Sequence, residues 1–560
     1  MSEFRPDPAL WERPKGIRLE KLKSTLSLSY RSAIENYPEL EFVVCLGNKG
    51  QIRRATYREF DLDVRIAAKQ ITERSRPQDV VVILGRNRYE TVVYSIAALM
   101  TGRTLAPMNP DDGPERISEK CALLLSSYSV WHDAEFRSWV WPENDLPAGE
   151  PASALTGVNE FNLTLSTAPA VLELSEFAPG QPCVLIFTSG STGYSKVVEQ
   201  TEIGLLTNID DLIERHDLKP GEVVATPLPI FHVNALEFAL CCTLLSGAKL
   251  VLFERAVLPV MLRGLQAEKC TILSVVPTIL RIFIERSADW RQLNLLSLRY
   301  IVTAAAPLSV DLVQATLNQL KVRIVQGYGL SEAINFSCLL PTRLSEDEYR
   351  HWMTGFAWPS IGTSLRSSKV SVLDSDGQEL SEGEVGEIVI RGPTVMQRYR
   401  GDAEGTIFRH SYLHTGDLGL FHCDPYGTRY FFISGRSKDT VKRNGLTISL
   451  REIDDLAQKL ALKELGISDV IAVTFPNKWS GEEIALVLKR EAAWNTENDN
   501  SLKDILARGF SPNLRPKFIL FSSRELRTPS GKPCRWHFTK QFEEFLEVNL
   551  GHEIRFLSDE

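Results

Sequence analysis

Along residues 57–71, YREFDLDVRIAAKQI, apolar side chains recur at helical spacing and predict an amphipathic helix. VVVIL at 80–84 is a continuous apolar run of strand length, and ETVVYSIAALMTG at 90–102 predicts a second helix stopped at Gly102. TLAPMNPDD then predicts a short extended piece. This alternation favours parallel sheet with crossover helices. Between 136 and 182 the periodicity weakens among Pro, Gly and Ser, which predicts loops or a crossing between subdomains. The rhythm resumes at CVLIF (183–187) and continues through VVATPLP, AKLVLF, CTILSVVP and LRYIVTAAAP. From about 368 the character changes: KVSVLDSDGQEL, GEVGEIVIRG and YFFISGR read as short strands with turn signals, a β-rich subdomain. Beyond GRSKD at 435–439 come a helix candidate (REIDDLAQKLAL), two strand candidates (DVIAVTF and EIALVLK) and a basic loop, SGKPCR. No internal repeat or low-complexity segment interrupts this order.

A chain of 560 residues is too long for one core, since single cores stop growing at about 250–300 residues, so several packed subdomains are expected. The formal charge of −8 argues against a general nucleic-acid binder but leaves room for a local anion site. The nine cysteines form neither a CxxC nor a spaced Cys/His set, so a reducing compartment without structural zinc is expected. MSEFRPDPALWERPKG lacks a signal-peptide apolar run, and FLSDE is no peroxisomal or prenylation signal. No stretch approaches the ~18 apolar residues of a membrane span, so the expectation is a soluble, cytoplasmic protein.

Five segments carry candidate chemistry. In LIFTSGSTGYSK (185–196) a strand runs into Thr188, Ser189, Gly190, Ser191, Thr192 and Gly193, followed by Lys196. Glycines let N–H groups turn toward an anion, hydroxyls add donors and the lysine adds charge, as phosphate oxygens require. It is not a P-loop, and a polar turn after a strand fits equally well. In VQGYGLSEA (325–333) Tyr328 suits stacking on a base, Ser331 a phosphate contact and Glu332 a hard cation; a turn with a solvated Glu is the other reading. In YLHTGDLG (412–419) Asp417 follows a glycine at an expected tight turn and suits two ribose hydroxyls, or simply forms the turn. GRSKDTVKRNG (435–445) carries Arg436 in a basic run that also reads as solvated surface. SGKPCR (530–535) places Lys532 on a glycine-containing loop, which alone means little.

Together and in this order, the five segments resemble the adenylate-forming superfamily of acyl- and aryl-CoA synthetases, peptide-synthetase adenylation domains and beetle luciferases. The family pattern is [YF]TSG[ST]TGxPK, GYGxTE, TGD, GRxxDxxKxxG and a final SGK; this chain has FTSGSTGYSK, GYGLSE, TGD, GRSKDTVKRNG and SGK. PLPIFHVNALEF (227–238), LRYIVTAAAPLS (298–309), EVGEIVIRG (384–392) and REID (451–454) also match, so the resemblance runs from about 55 to 540.

The resemblance implies an α/β fold: a large N-terminal core of two α/β sheets plus a β-rich subdomain (1–434), a hinge at 435–438, and a small mobile α+β lid (439–560) carrying Lys532. It implies ATP and Mg²⁺, with CoA or a phosphopantetheine thiol as co-substrate. Thr188 to Gly193 and Lys196 would clasp the β,γ-phosphates, Tyr328 would lie against adenine, and Ser331 would touch the α-phosphate. Glu332 would hold Mg²⁺, and Asp417 and Arg436 would bind the ribose. Lys532 would bridge the substrate carboxylate, α-phosphate and ribose in adenylation, Lys438 would be the pivot, and the thiol tunnel would pass Gly445. His232 would sit by the acid pocket and tunnel mouth, or be a core-facing histidine; Ala304, Ala305, Ala306 and Asn335 would line the pocket, where small residues leave room for a bulky ring or chain. No general base is required, because the acid is ionised near neutral pH.

Ser195 replaces the loop proline, Val197 the glycine or alanine after the lysine, Glu202 a frequent histidine, and Leu450 the proline before xEIE. Peptide-synthetase domains place an aspartate just after the phenylalanine of the FHVN-like segment to hold an α-amine. Phe231-His232-Val233-Asn234 has none, which favours an aliphatic or aryl acid without an α-amine. The readings carried forward are an acyl- or aryl-CoA synthetase, a free-standing enzyme loading a carrier protein, and a non-catalytic acid- or nucleotide-binding relative.

Overall fold

Four sheets organise the chain in a computed structural model. It describes residues 25–112, 114–124, 127–132, 159–162, 175–178, 180–189, 195–401, 407–436, 439–443, 446–460, 465–477, 481–490, 496–510, 514–528, 531, 533–545 and 554–558. The first sheet has nine strands in the order Thr363–Ser364, Phe336–Leu339, Arg323–Gly329, Tyr300–Thr303, Ile272–Val275, Val223–Thr226, Lys249–Phe253, Glu41–Leu46, Ile52–Thr56. Its seven-membered interior row runs from Phe336–Leu339 to Glu41–Leu46, and every pairing from Arg323–Gly329 to Glu41–Leu46 is parallel. Such strands are covered on both faces, which is why LVLF and YIVT read as unbroken apolar runs.

The second sheet has the order Arg398–Tyr399, Ser195–Gln200, Val184–Ser189, Thr104–Met108, Val80–Leu84, Tyr128–His132, Asn159–Asn162. The helix Tyr89–Met100 touches strands of both sheets and is buried at every position but Glu90. A helix apolar all round belongs between two layers rather than on a surface. The preceding helix, Tyr57–Arg74, starts on a capping box: the Thr56 hydroxyl accepts from Glu59 N–H, and the Glu59 carboxylate accepts from Thr56 N–H at 2.8 Å.

The third sheet joins Lys369–Leu373, Gly386–Arg391 and Tyr412–Cys423, with Phe408–Arg409 and Arg429–Arg436 both on the last of these. The fourth joins Leu446–Ser449, Thr440–Arg443, Gly481–Arg490, Phe518–Ser522 and Arg555–Ser558, with Ile467–Asn477 on Gly481–Arg490. The α/β architecture is therefore the expected one: two large mixed sheets, a β-rich unit and a smaller C-terminal α+β unit.

Two expectations change. The TGD segment is not a turn between elements but lies inside the strand Tyr412–Cys423. Opposite it, His414 and Leu418 pair with Val389 and Glu387, so Thr415, Gly416 and Asp417 face the single residue Ile388 as a bulge. Gly416 takes φ +73° there, and the Thr415 hydroxyl donates to Ile388 C=O. In addition, Glu41–Leu46 and Phe518–Ser522, not foreseen as strands, are interior members of their sheets. All nine cysteines are free thiols, eight of them buried. Among the described residues no helix is long and apolar enough to cross a membrane.

Candidate active site

Parallel strands end together, and loops leaving their carboxyl ends form a cleft. In the first sheet Val275, Thr303 and Gln326 share one register level. The candidate residues leave from these ends: His232 after Val223–Thr226, Ala304, Ala305 and Ala306 after Tyr300–Thr303, and Tyr328 to Asn335 from Arg323–Gly329 onward.

The residues expected to hold the nucleotide are drawn together by three sheets. The strands Val184–Ser189 and Ser195–Gln200 form a hairpin with Thr188 opposite Lys196 and Ser189 opposite Ser195. Gly190, Ser191, Thr192 and Gly193 at its tip lie outside the described residues. The Lys196 ammonium sits over the Tyr399 ring, 4.4 Å from its centre, and the Tyr399 hydroxyl donates to Glu332 Oε1 at 2.7 Å. Tyr399 is held there because Arg398–Tyr399 pairs with the hairpin. Gln200 Nε2 donates to the Ser331 carbonyl at 2.5 Å, and Met396 N–H donates to the Glu332 carbonyl at 2.7 Å, fixing the SE turn on the same hairpin. The Tyr328 hydroxyl donates to Asp417 Oδ2 at 2.7 Å with both side chains buried, and Asp417 pairs across the sheet with Arg436. The Arg436 side chain lies outside the described residues.

Gly329 is required by a close approach: a Cβ there would stand 1.3 Å from the Asn335 carbonyl oxygen. The intervening turn is tight, and Ile334 takes φ +64°, a left-handed value that a β-branched residue rarely adopts. Glu332 keeps its second carboxylate oxygen without a hydrogen bond among the described residues. No group of three or more His, Cys, Asp or Glu forms a metal cage among them. One carboxylate is a fitting donor for Mg²⁺, which binds through one or two carboxylates plus substrate phosphates and water.

Among the residues expected to line the acid pocket, His232 is solvent-exposed, which removes the core-facing reading; its ring lies 4.6 Å from that of Phe231. Asn234 Oδ1 accepts from Ser274 Oγ at 2.9 Å and ties the segment to the neighbouring strand end. Ala304 and Ala306 are half-buried and Ala305 is exposed with φ +68°. This is a backbone conformation that glycine adopts more readily than alanine. Asn335 is buried.

The C-terminal unit meets this cleft. Lys532 and Ser530 lie outside the described residues, but Gly531 between them is described, with φ +85° and its N–H donating to Thr528 C=O at 2.8 Å. A Cβ on Gly531 would stand 2.8 Å from Thr278 Cγ2 and 3.8 Å from Ala306 Cβ, so this corner packs on the end of the first sheet. Arg451 fastens the two units: Nη1 donates to Ile433 C=O at 3.0 Å and Nη2 to Leu308 C=O at 3.1 Å. Ser449 Oγ donates to Ser434 C=O at 2.9 Å. Lys438 and Gly445 lie outside the described residues.

The departures from the family pattern have local reasons. Val197 is buried in the core of the second sheet with Leu185 and Val80. Glu202 opens the helix Glu202–His216, and its Oε1 accepts from Leu26 N–H at 2.7 Å. Leu450 opens the helix Leu450–Lys459 and is buried in the C-terminal core. The Ser195 side chain lies outside the described residues.

Sequence reasoning missed Tyr399 and Arg451. Tyr399 has no local signal, since its role comes from pairing of a two-residue strand with the hairpin. Arg451 sat in REID, recognised only as a family segment.

A family model for AMP-binding enzymes matches residues 30–400. 4-coumarate–CoA ligase 1 of Arabidopsis thaliana is 28% identical over 506 residues, covering 84% of this chain and 86% of that protein. 4-coumarate–CoA ligase 2 of Nicotiana tabacum is 27% identical over 517 residues, covering 90% and 92%. The fold is shared with o-succinylbenzoate CoA synthetase (MenE) from Bacillus subtilis in complex with its acyl-adenylate intermediate, at TM-score 0.75 and 20% identity over 91% of this chain and 97% of that one. It is shared too with the amide bond synthetase McbA from Marinactinospora thermotolerans, at TM-score 0.74 and 20% identity over 93% and 100%. The ordered motifs, the clustered site and the family match make this chain a member of the AMP-binding enzyme family, an AMP-forming acid–thiol ligase of the adenylate-forming superfamily.

Proposed function

We propose that this protein activates an aliphatic or aryl carboxylic acid without an α-amine as its acyl-adenylate, releasing pyrophosphate, and then passes the acyl group to the thiol of CoA. The observation that carries the reading is the convergence of Lys196, Tyr399 and Glu332 with the Tyr328–Asp417 pair, closed by the Gly531 corner over Thr278 and Ala306.

The chemistry follows from charge. A carboxylate must approach a phosphorus surrounded by negative oxygens, and more negative charge gathers in the transition state. Thr188 to Gly193 and Lys196 would hold the β,γ-phosphates and Ser331 the α-phosphate. Tyr328 would lie against adenine, with Asp417 and Arg436 on the ribose. Mg²⁺ held at Glu332 would supply the remaining charge neutralisation. Lys532, next to Gly531, would bridge the carboxylate and the α-phosphate, lowering the barrier by position and charge. Ala304, Ala306, Asn335 and His232 would line the acid. We take 1–434 and 439–560 as the two working bodies, with 435–438 and Lys438 as hinge, and Gly445 beside the thiol path after rotation.

CoA is favoured as acceptor because the curated relatives above are named CoA ligases over most of their length. A carrier-protein phosphopantetheine offers the same thiol and is the second reading. Acid-dependent ATP–pyrophosphate exchange across an acid panel, followed by CoA-thioester detection against carrier loading, tests both steps. Exchange without CoA-thioester, but with carrier loading, would move the acceptor to the carrier.

A further inference from the structure

The segment that carries Lys532 is a hairpin. Cys534 N–H donates to Leu526 C=O at 2.8 Å, Arg527 bridges to Pro533, and Gly531 turns between them at φ +85°. Lys532 follows that turn and precedes the returning leg. Both legs lean on one strand edge. Among the described residues Ile467–Asn477 pairs with Gly481–Arg490 alone, so its other edge has no strand partner. Val470 and Ala472 on that strand are buried, and buried backbone groups need partners. Side chains supply them. Val470 N–H donates to Asp469 Oδ1 at 2.8 Å, and Ala472 N–H to Asp454 Oδ1 at 2.6 Å. Val470 C=O accepts from Arg527 Nη2 at 3.0 Å, and Ala472 C=O accepts from Arg535 Nη1. Arg527 Nε also donates to both Asp469 oxygens at 3.1 Å.

Arg535 reaches further than Arg527. Its Nη2 donates to Asp454 Oδ2 at 2.6 Å, its Nη1 to Oδ1 at 3.3 Å, and its Nε lies 3.5 Å from Asp439 Oδ1. Asp454 belongs to the helix Leu450–Lys459, three residues after Arg451, which fastens that helix to the Leu308 and Ile433 carbonyls. Asp439 directly follows Lys438, the proposed pivot. One guanidinium thus joins the Lys532 hairpin to the edge strand, to the fastening helix and to the hinge. A buried ion pair adds little to stability over a well-packed apolar pair; what a forked guanidinium adds is a fixed orientation. We propose that Arg535 is the positioning residue for Lys532: it braces the returning leg of the hairpin so that Lys532 arrives at the adenylation site at the right height, and it ties that placement to the hinge. All three nitrogens of Arg535 face protein groups, so it acts through Lys532 and does not touch substrate. The inference rests on the adenylation role proposed for Lys532.

The test uses the full-length enzyme and a double-mutant cycle. Arg535→Lys keeps a cation beside Asp454 but loses the planar fork. It should lower kcat in acid-dependent ATP–pyrophosphate exchange by about 10–100-fold, the scale of a displacement of about 1 Å. The KM values for ATP and acid should stay within about 3-fold, as when an interaction made only in the transition state is weakened. Thioester formation from supplied acyl-adenylate and CoA should also stay within about 3-fold, because Lys532 is assigned to the other half-reaction. In a Lys532→Ala background the same change should cost less than about 2-fold, since the group it positions is gone. Asp439→Asn, at the half-buried end of the network, gives the same cycle if Arg535→Lys does not fold, with a loss of about 3–10-fold that again vanishes beside Lys532→Ala. Equal losses with and without Lys532, or equal losses in both half-reactions, overturn the proposal and leave Arg535 a support of the fold. So does normal exchange in both Arg535→Lys and Asp439→Asn beside a crippled Lys532→Ala. Near-normal exchange in Lys532→Ala itself would instead sink the role of Lys532 on which the proposal stands.

Discussion

The Tyr328 hydroxyl donates to Asp417 Oδ2 at 2.7 Å, linking the first sheet to the bulge of the third. The contact joins the proposed adenine and ribose contacts into one unit. Asp417 N–H in turn donates to Thr415 Oγ1 at 3.1 Å, so the bulge aims the carboxylate. Tyr328→Phe leaves that buried carboxylate one donor short, a loss of about 1–3 kcal/mol. The expected outcome is a KM for ATP about 5–100-fold higher with the acid KM little changed. Asp417→Asn should be worse, and the two changes together should cost less than the sum of their separate effects, checked by a double-mutant cycle in the exchange assay.

Arg451 holds the C-terminal unit on the proposed acid pocket through Ile433 and Leu308 carbonyls. Arg451→Met removes both bonds while keeping the apolar stem. Adenylation should slow by about 10–100-fold, given about 1.5–3 kcal/mol for a charged hydrogen bond. Thioester formation from supplied acyl-adenylate, which under the proposed rotation uses the other orientation, should fall much less. Equal losses in both half-reactions would mean that Arg451 supports the fold rather than the adenylation arrangement.

Ala305 holds φ +68° without being glycine. The left-handed region costs an alanine about 1–2 kcal/mol, against about 0.5–1 kcal/mol of extra chain entropy lost by glycine. Ala305→Gly should therefore stabilise the N-terminal unit by roughly 0.5–1 kcal/mol. Differential scanning calorimetry checks the sign; a lower melting midpoint would show that the methyl group makes packing contacts worth more than the strain.

His216 is buried against Phe238, with Nδ1 3.0 Å from the Tyr300 hydroxyl, and burial lowers its pKa from 6.5 to about 3. Its folded value lies below its unfolded one. The neutral ring therefore contributes stability that is fully present above pH 6.5 and is lost as pH falls toward 3. At pH 4.5 the loss from this group is about 2–3 kcal/mol. His216→Gln should unfold at lower stability at pH 7 but show a shallower decline between pH 6.5 and 4.5, read by urea denaturation across that range.

How far the sequence carried these conclusions depends on the range of the interactions. VVVIL, AKLVLF and YFFISGR could be placed because local apolar pattern decides strand identity in covered sheets. FILFS escaped notice because it sits among loops and charges and gains strand character only from Gly481–Arg490 and Arg555–Ser558 on either side. Tyr328, Glu332 and Asp417 were visible as motif residues, and their convergence was implied by the resemblance. Tyr399, which joins Lys196 to Glu332, was not, because it lies far from both in sequence and only the pairing of Arg398–Tyr399 with the hairpin brings it there.

Acid-dependent ATP–pyrophosphate exchange in the wild type and in Lys532→Ala tests the central claim most directly. The account predicts exchange by the wild type with at least one acid of a broad panel. It predicts a fall of about 100-fold or more in Lys532→Ala, with ATP binding and melting midpoint largely retained. Near-normal exchange in Lys532→Ala would contradict it.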